Sequence, residues 1–190
     1  MFFSYKVDDE IKLVVPQGFY AEDMFPVIME NYDHLRKWVP WLPDGYNIES
    51  TRSAYEEAFA AARESRNLWL LIKYKNRFVG GTGLNKFDFP NRTTEIGYWL
   101  SAEYEGNGII SRSCKALIEY AFDDLGFNRI EIKCAVENKK SRAIPEKIGF
   151  TEEGVLREAE WLYDHFVDWT VYSMLAKDWR EKEKNCSKKQ

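Results

Sequence analysis

A short glycine-rich segment is the part of this 190-residue sequence whose residue types could bind an anion. Residues 105–111 read Glu-Gly-Asn-Gly-Ile-Ile-Ser and separate an alternating segment typical of a strand from an apolar periodicity typical of a helix. Gly106 and Gly108 permit tight turns that expose backbone amides, and the beginning of a helix adds partial positive charge. These features predict a cradle for phosphate groups, although a turn that only joins a strand to a helix has the same pattern.

Two nucleotide-binding motifs come close to this loop without matching it. A Walker P-loop needs Gly-Lys-Ser/Thr, and the segment contains no lysine. The dinucleotide fingerprint GxGxxG is approached by Gly106, Gly108 and Ser111, but its third glycine is missing. The strands before the loop also predict an antiparallel meander, whereas a dinucleotide fold needs a doubly wound parallel sheet. A dinucleotide such as NAD is therefore the weaker alternative.

The elements that position this loop follow from apolar periodicity and from turn residues. Before the loop, the sequence predicts a strand at 11–15, a helix at 21–37 that starts at Glu22 or Asp23, a helix at 53–64 with a Ser53/Glu56 capping box, and strands at 68–74, 78–87 and 93–100. After the loop, it predicts a helix ending at Gly126, a strand at 130–136, a helix at 139–147 capped by Asn138, and strands at 151–156 and 166–175.

This order of elements predicts an α+β domain with a mixed, mostly antiparallel sheet. We expect a single domain over residues 1–180 and a charged, disordered tail over residues 181–190. The loop at 38–46 is rich in proline and tryptophan, and it either plugs the core or forms the lip of a substrate groove.

Composition excludes several classes of function. With 27 basic and 31 acidic side chains the net charge is −4, so binding to nucleic acid or to an anionic membrane is not expected. No segment approaches the roughly 18 apolar residues of a membrane-spanning helix. Three cysteines without CxxC spacing indicate a reducing cytoplasm, and with only two histidines no metal site is expected. The aromatic share of 16% is high and is consistent with a binding groove or a homodimer contact.

Four segments carry a resemblance that spans residues 10–180. They are WVPWLP, EIGYWLSAEYEGNGIISRSCKALIEYAF, VENKKSRAIPEKIGF and EEGVLREAEWLYDHFVDWTVYSML, in this order along the chain. Together they resemble the GNAT acetyltransferase superfamily, and within it the RimJ/RimL branch of ribosomal-protein N-terminal acetyltransferases. The resemblance implies a three-layer α/β/α fold with a sheet splayed at the cofactor site. It also implies direct transfer of an acetyl group from acetyl-CoA to an amine within a ternary complex, without a metal.

The resemblance also assigns residues to the cofactor. Acetyl-CoA would be held by the backbone of the strand end, by the glycine loop and by the start of the next helix, at Trp99, Leu100, Gly106, Asn107, Gly108, Ile109, Ile110, Asn138 and Ser141. Three positions depart from the wider superfamily: Glu105 stands where Gln or Arg is usual, Ile110 where Gly or Ala is usual, and Pro145 where many members have a tyrosine general acid. The first two departures are acceptable only if backbone amides make the contacts and the Ile110 side chain points away.

The resemblance assigns catalytic roles to Ser141 and Glu160. Ser141 would protonate the departing thiolate in place of the missing tyrosine, although a serine in a first helical turn is also commonplace. Glu160 would act as the general base, with Trp161 beside it to exclude water and raise its pKa. Glu95 is the rival base, and either carboxylate could equally be a solvated side chain.

The acceptor is the least determined part of the prediction. The resemblance implies the N-terminal α-amine of a protein, a ribosomal protein foremost, or else a small-molecule amine. An α-amine has an ordinary pKa of about 7.7–8.0 against about 10.4 for lysine, so it loses its proton more easily near neutrality. A different class of function also fits the sequence, namely an acyl-CoA-binding regulatory protein without turnover.

Overall fold

One mixed sheet of eight strands runs through the computed structural model, which describes residues 4–187. The strands are β1 (Ser4–Lys6), β2 (Ile11–Val14), β3 (Leu68–Tyr74), β4 (Arg77–Asp88), β5 (Thr93–Leu100), β6 (Arg129–Ala135), β7 (Thr151–Leu162) and β8 (His165–Leu175). The helices are α1 (Ala21–Glu30), α2 (Tyr32–Arg36), α3 (Ile48–Arg63), α4 (Ile109–Glu119), α5 (Lys139–Ile148) and α6 (Ala176–Ser187). The order in the sheet is β1-β2-β3-β4-β5-β6-β8-β7.

The sheet separates two apolar clusters and so creates three layers. Successive side chains of a strand point to opposite faces. In β3, Leu70 and Ile72 therefore pack with α4 and α5, whereas Leu71 packs with α1, α2 and α3 on the other face. Adjacent strands pair antiparallel except for β5 and β6, which run parallel. The predicted α+β architecture, three layers around a mixed and mostly antiparallel sheet, is confirmed.

The first predicted helix is wrong in one respect, because it is interrupted at Asn31. The backbone of Asn31 leaves the helical region, which divides the segment into α1 and α2. Its side chain donates to the Val27 carbonyl (2.8 Å) and to the Ser101 hydroxyl (3.0 Å), and it accepts from the Ala102 amide (2.8 Å). Asn31 is 8% exposed. Because Ala102 lies just beyond β5, this side chain fixes the chain that leads into the glycine loop.

We expect Asn31→Ala to lower the free energy of unfolding by about 2–3 kcal/mol, since buried partners on the turn at 101–102 lose their hydrogen bonds. For a chain of this size, that loss corresponds to a fall in Tm of roughly 5–10 °C, measurable by calorimetry. The control is Asn91→Ala, because Asn91 is exposed and its side chain bonds only a neighbouring turn residue, Asp88. Equal Tm values for the two variants would contradict the role given to Asn31.

The helix predicted at 53–64 begins earlier than its capping-box pattern indicates. Helix α3 starts at Ile48, and the Asn47 side chain caps it by accepting from the Ser50 amide (3.1 Å). Ser53 is therefore an exposed residue inside the helix, and the Ser53/Glu56 capping box is wrong. An Asn at the cap stabilises a helix start as well as a serine does, and the observed cap lies six residues before the predicted one.

The late strands form a longer hairpin than predicted. Strand β7 continues through Leu162, and its register with β8 shifts near Gly154 and again near Glu158. Both residues have positive φ, at 148° and 50° respectively. Such irregularities break the period-two pattern, and this is why the strand predicted from the sequence ends at 156. The three-residue strand β1 was also missed, because it is exposed throughout and has no apolar alternation.

The charged tail is helical as far as the structure describes it. Helix α6 extends through Ser187, so the prediction of disorder from 181 onward is wrong up to that residue. Trp179 is 6% exposed and anchors the helix in the core, and the lysine, glutamate and arginine residues that follow are good helix formers. Residues 188–190 of the predicted tail lie outside the described residues.

Candidate active site

A cleft opens in the sheet where β5 and β6 separate. The two parallel strands are paired only at 93–95 with 129–131, although β5 continues to Leu100 and β6 to Ala135. The Ser101 amide bonds the Val79 carbonyl (2.8 Å) on the β4 side. Because backbone groups alternate along a strand, the Leu100 amide faces the open cleft, whereas that of Trp99 faces β4. The splayed sheet therefore leaves amide donors directed into the gap.

Three side chains bridge this cleft from three different elements. Tyr98 lies on β5, Cys134 on β6 and Ser141 in the first turn of α5. The Ser141 hydroxyl lies 3.3 Å from the Tyr98 hydroxyl and 3.2 Å from the Cys134 sulfur, and it can donate its proton to either atom. The Tyr98 hydroxyl donates to the Ser141 carbonyl at 2.8 Å.

Burial keeps this cluster protonated. It raises the pKa of Tyr98 well above its ordinary value and also raises the pKa of Cys134. Cys134 is 4% exposed, as expected for an unreactive thiol, and Cys114 is fully buried, with a pKa raised to about 12. Tyr98 was missed in the sequence because its position in β5 is that of an ordinary core residue. Its hydroxyl is recognisable as part of the site only in the fold, where Ser141, 43 residues away in sequence, lies beside it.

The glycine loop has the geometry of an anion cradle. Gly106 and Gly108 have φ angles of 80° and 70°, and the space beside both α-carbons is open. Gly108 directly precedes α4, so the first amides of that helix lack intrahelical acceptors and face the loop. Ile109 and Ile110 are buried in the core, and their side chains leave these amides free. The Asn107 side chain donates to the Tyr104 and Glu105 carbonyls and shapes the turn.

The residues present fit the diphosphate and the arm of acetyl-CoA. Exposed amides at a helix start bind phosphate, and the unpaired edge of β5 offers further donors along the cleft. Asn138 caps α5 as predicted, accepting from the Ser141 amide at 3.0 Å, and thereby sets the Ser141 side chain at the cleft. A contact between Asn138 and the cofactor stays a prediction, as does one made by Trp99.

The two candidate bases lie in different environments. Glu95 accepts hydrogen bonds from Lys133 (2.6 Å) and Lys86 (3.1 Å), so its charge is neutralised by two ammonium groups. Burial raises the pKa of Glu160, while a hydrogen bond from Trp169 and the charge of Lys86 act in the opposite direction. Lys86 thus lies near both carboxylates. Neither of them hydrogen-bonds to Ser141.

The tryptophan expected to shield Glu160 is the wrong one. Trp161 is 53% exposed and packs edge-to-face on Phe166 (4.8 Å between ring centroids). It follows Glu160 in the strand and therefore points to the opposite face. The partner of Glu160 is Trp169, on the neighbouring strand β8.

The loop at 38–46 packs into the core through Leu42 and is hydrogen-bonded to the hairpin of β7 and β8. Leu42 is fully buried, whereas Trp41 is 38% exposed and packs near Trp99 (6.1 Å between ring centroids). The Tyr163 hydroxyl, at the tip between β7 and β8, donates to the Val39 or Leu42 carbonyl (2.6 and 3.0 Å) and accepts from the Leu42 amide. The loop and the hairpin tip thus hold each other in place.

Two further sequence expectations concern what the fold lacks. Among the side chains that the structure describes, His, Cys, Asp and Glu form no group of three that could hold a metal ion. No helix in the described part of the chain is both long and apolar enough to cross a membrane.

Comparisons with known proteins identify the family. A family model described as an acetyltransferase (GNAT) domain matches residues 17–151, which is most of the chain. This chain therefore belongs to the GNAT acetyltransferase family. It is an N-acetyltransferase that uses acetyl-CoA, and the predicted cofactor is confirmed. The readings as an NAD-binding protein and as an acyl-CoA-binding protein without turnover are wrong.

Individual relatives match along nearly their whole length. The YdaF protein of Bacillus subtilis (strain 168), whose name assigns it provisionally to the ribosomal N-acetyltransferases, is 35% identical over 93% of this chain and 97% of its own. The ribosomal-protein-serine acetyltransferase of Escherichia coli (strain K12) is 28% identical over 90% and 95%. The crystal structure of the microcin C7 self-immunity acetyltransferase MccE with acetyl-CoA and AMP is 37% identical, with a TM-score of 0.87 over 92% and 97%.

Proposed function

We propose that this enzyme acetylates the α-amine at the N-terminus of a protein, most of all of a ribosomal protein. The observation that carries the proposal is the similarity, along nearly the full length of both chains, to relatives named as ribosomal-protein acetyltransferases. Acetyl-CoA supplies the acetyl group as an activated thioester. The chain must then bind the amine, take its proton, stabilise the oxyanion and return a proton to the thiolate.

We assign the last of these proton transfers to Ser141. Its hydroxyl lies at the splayed cleft, and Asn138 fixes the helix turn that carries it. The neighbouring Tyr98 and Cys134 stay protonated, so the cluster holds no negative charge that would oppose a developing thiolate. The Leu100 amide, which faces the same gap, is the proposed donor to the oxyanion.

Glu160 is the proposed base. Its pKa is raised by burial, which makes it a better proton acceptor than an ordinary carboxylate. Glu95 is the weaker candidate because its carboxylate is already engaged by hydrogen bonds from Lys133 and Lys86. A carboxylate base is better matched to an α-amine than to a lysine, because the α-amine holds its proton less tightly.

Two peptides that differ only in their reactive amine test the choice of amine. The first has a free α-amine and no lysine, and the second has a blocked α-amine and one lysine. With acetyl-CoA, mass spectrometry should show acetylation of the first peptide at least about tenfold faster, since its amine is far more often deprotonated near neutrality. Equal rates, or a faster lysine peptide, would contradict the proposal.

A second acceptor class is favoured by one structural neighbour. The 37% identical acetyltransferase was crystallised with AMP as well as acetyl-CoA. In this chain, Trp161 and Phe166 present exposed aromatic rings on the β7–β8 hairpin, on the face opposite Glu160, and such rings can stack on a nucleobase. This candidate is a small amine attached to an adenine nucleotide. Strong competition by AMP against the peptide would favour it over a protein N-terminus.

Several expectations from the sequence stay predictions. They are the single domain over 1–180, the cytoplasmic location and the absence of nucleic-acid binding. A homodimer is also still proposed. The edge hairpin of β7 and β8 would be its contact, because Val155, Leu156 and the Trp161–Phe166 pair expose apolar surface there.

A further inference from the structure

The phosphate-binding loop begins with a carboxylate, which is unexpected at an anion site. Glu105 directly precedes Gly106, and its side chain is 29% exposed. A negative charge here repels the diphosphate that the adjoining amides would bind. The loop would therefore bind acetyl-CoA poorly unless another group compensates for the Glu105 charge.

Two side chains contact this carboxylate, one at each of its oxygens. One oxygen of Glu105 lies 3.3 Å from Nε2 of His34, on α2. The other accepts a hydrogen bond from Nζ of Lys140, on the first turn of α5. Glu105 is thus held between two helices that flank the cofactor loop.

Lys140 is the most exposed member of this group. Its side chain is 75% exposed. In sequence it lies between the capping residue Asn138 and Ser141, and its ammonium contacts the carboxylate that precedes Gly106. An exposed ion pair is weak, so Lys140 can exchange its carboxylate partner for another anion at little cost. A diphosphate bound at the loop amides would be such an anion, and it would carry the larger charge.

We propose that Lys140 is a binding residue for the diphosphate of acetyl-CoA, and that Glu105 opposes this binding because it occupies the Lys140 ammonium in the free protein and repels the diphosphate. The proposal rests on acetyl-CoA binding at this loop. It assigns opposite effects to the two charges: Lys140 raises the affinity, and Glu105 lowers it. A purely structural ion pair would give both residues the same sign, because losing either partner would loosen the loop.

Calorimetric titration of acetyl-CoA into single and double variants tests the opposite signs. Lys140→Gln should raise Kd about tenfold, the factor expected when one charge-assisted hydrogen bond is lost. Glu105→Gln should lower Kd several-fold, and the double variant should return close to the wild-type value. Lys140→Arg should keep most of the affinity. Lys139→Gln is the matched control, since it removes an exposed charge from the same helix turn and should leave Kd within about twofold.

The outcomes separate this inference from acetyl-CoA binding itself. Wild-type protein that does not bind acetyl-CoA would overturn both. If the wild-type protein binds acetyl-CoA, two results would overturn the inference alone. One is a higher Kd for Glu105→Gln, and the other is an unchanged Kd for Lys140→Gln. Titration with dephospho-CoA, which lacks the 3′-phosphate, is a further test. Lys140→Gln should weaken the binding of this ligand as well. If it does not, Lys140 binds the 3′-phosphate, and the diphosphate assignment is overturned. The KM for acetyl-CoA should follow Kd while kcat stays unchanged.

Discussion

Ser141→Ala is expected to lower kcat about a hundredfold, the size of effect usual for loss of a general acid. The Kd for acetyl-CoA should change little, because Asn138 bonds the Ser141 backbone amide, which the substitution keeps. Steady-state kinetics together with calorimetric titration would separate the two parameters. The reason for the loss is that the departing thiolate would leave without a proton from the cleft.

Two further variants make the Ser141 prediction specific. Ser53→Ala, on the exposed face of α3, should leave kcat unchanged. Tyr98→Phe keeps the buried ring and removes only the hydroxyl beside Ser141. If Tyr98→Phe lowers kcat about a hundredfold and Ser141→Ala does not, the proton donor is Tyr98. Ser141 is then an ordinary residue of the first helical turn.

Glu160→Gln is expected to lower kcat/KM by about a hundredfold near neutral pH, because the amine would have no positioned base. The pH profile gives the sharper result. A base works only when deprotonated, so wild-type activity should fall as pH drops through the pKa of Glu160. Burial raises this pKa, and the fall should therefore begin at a higher pH than for an ordinary glutamate. Glu160→Gln should lack this acidic decline.

Glu95→Gln is the matched control for the base. Its carboxylate is held by Lys133 and Lys86, so the substitution should change kcat/KM by less than about threefold and leave the acidic decline in place. The assignments would be reversed if Glu95→Gln lost the acidic decline and Glu160→Gln kept it. Glu95 would then be the base.

The sequence predicted the parts of the site whose causes are local. Gly106 and Gly108 have positive φ directly before a helix. The strand pattern before them and the helix pattern after them are enough to predict a tight turn at these two residues. Asn138 caps α5 through a contact only three residues long. The strand 93–100 was predicted at its observed bounds because its alternation is regular on both faces of the sheet.

The missed features depend on contacts between distant segments. The break at Asn31 is stabilised by Ser101 and Ala102, about 70 residues away, and no local pattern records that partner. The pairing of Lys140 with Glu105 likewise needs α5 to lie beside the loop. Trp161 was expected at Glu160 because the two are adjacent in sequence, yet adjacent residues of a strand face opposite ways.

The most direct test of the account asks whether the acetyl group ever rests on the chain. Wild-type enzyme mixed with acetyl-CoA alone should release almost no CoA thiol and should keep its intact mass, because transfer needs the amine. Adding a peptide with a free α-amine should then release one CoA for each acetylated peptide. An acetyl group that forms on Ser141 or Cys134 without peptide, and passes to the peptide when it is added, would contradict direct transfer in the splayed cleft.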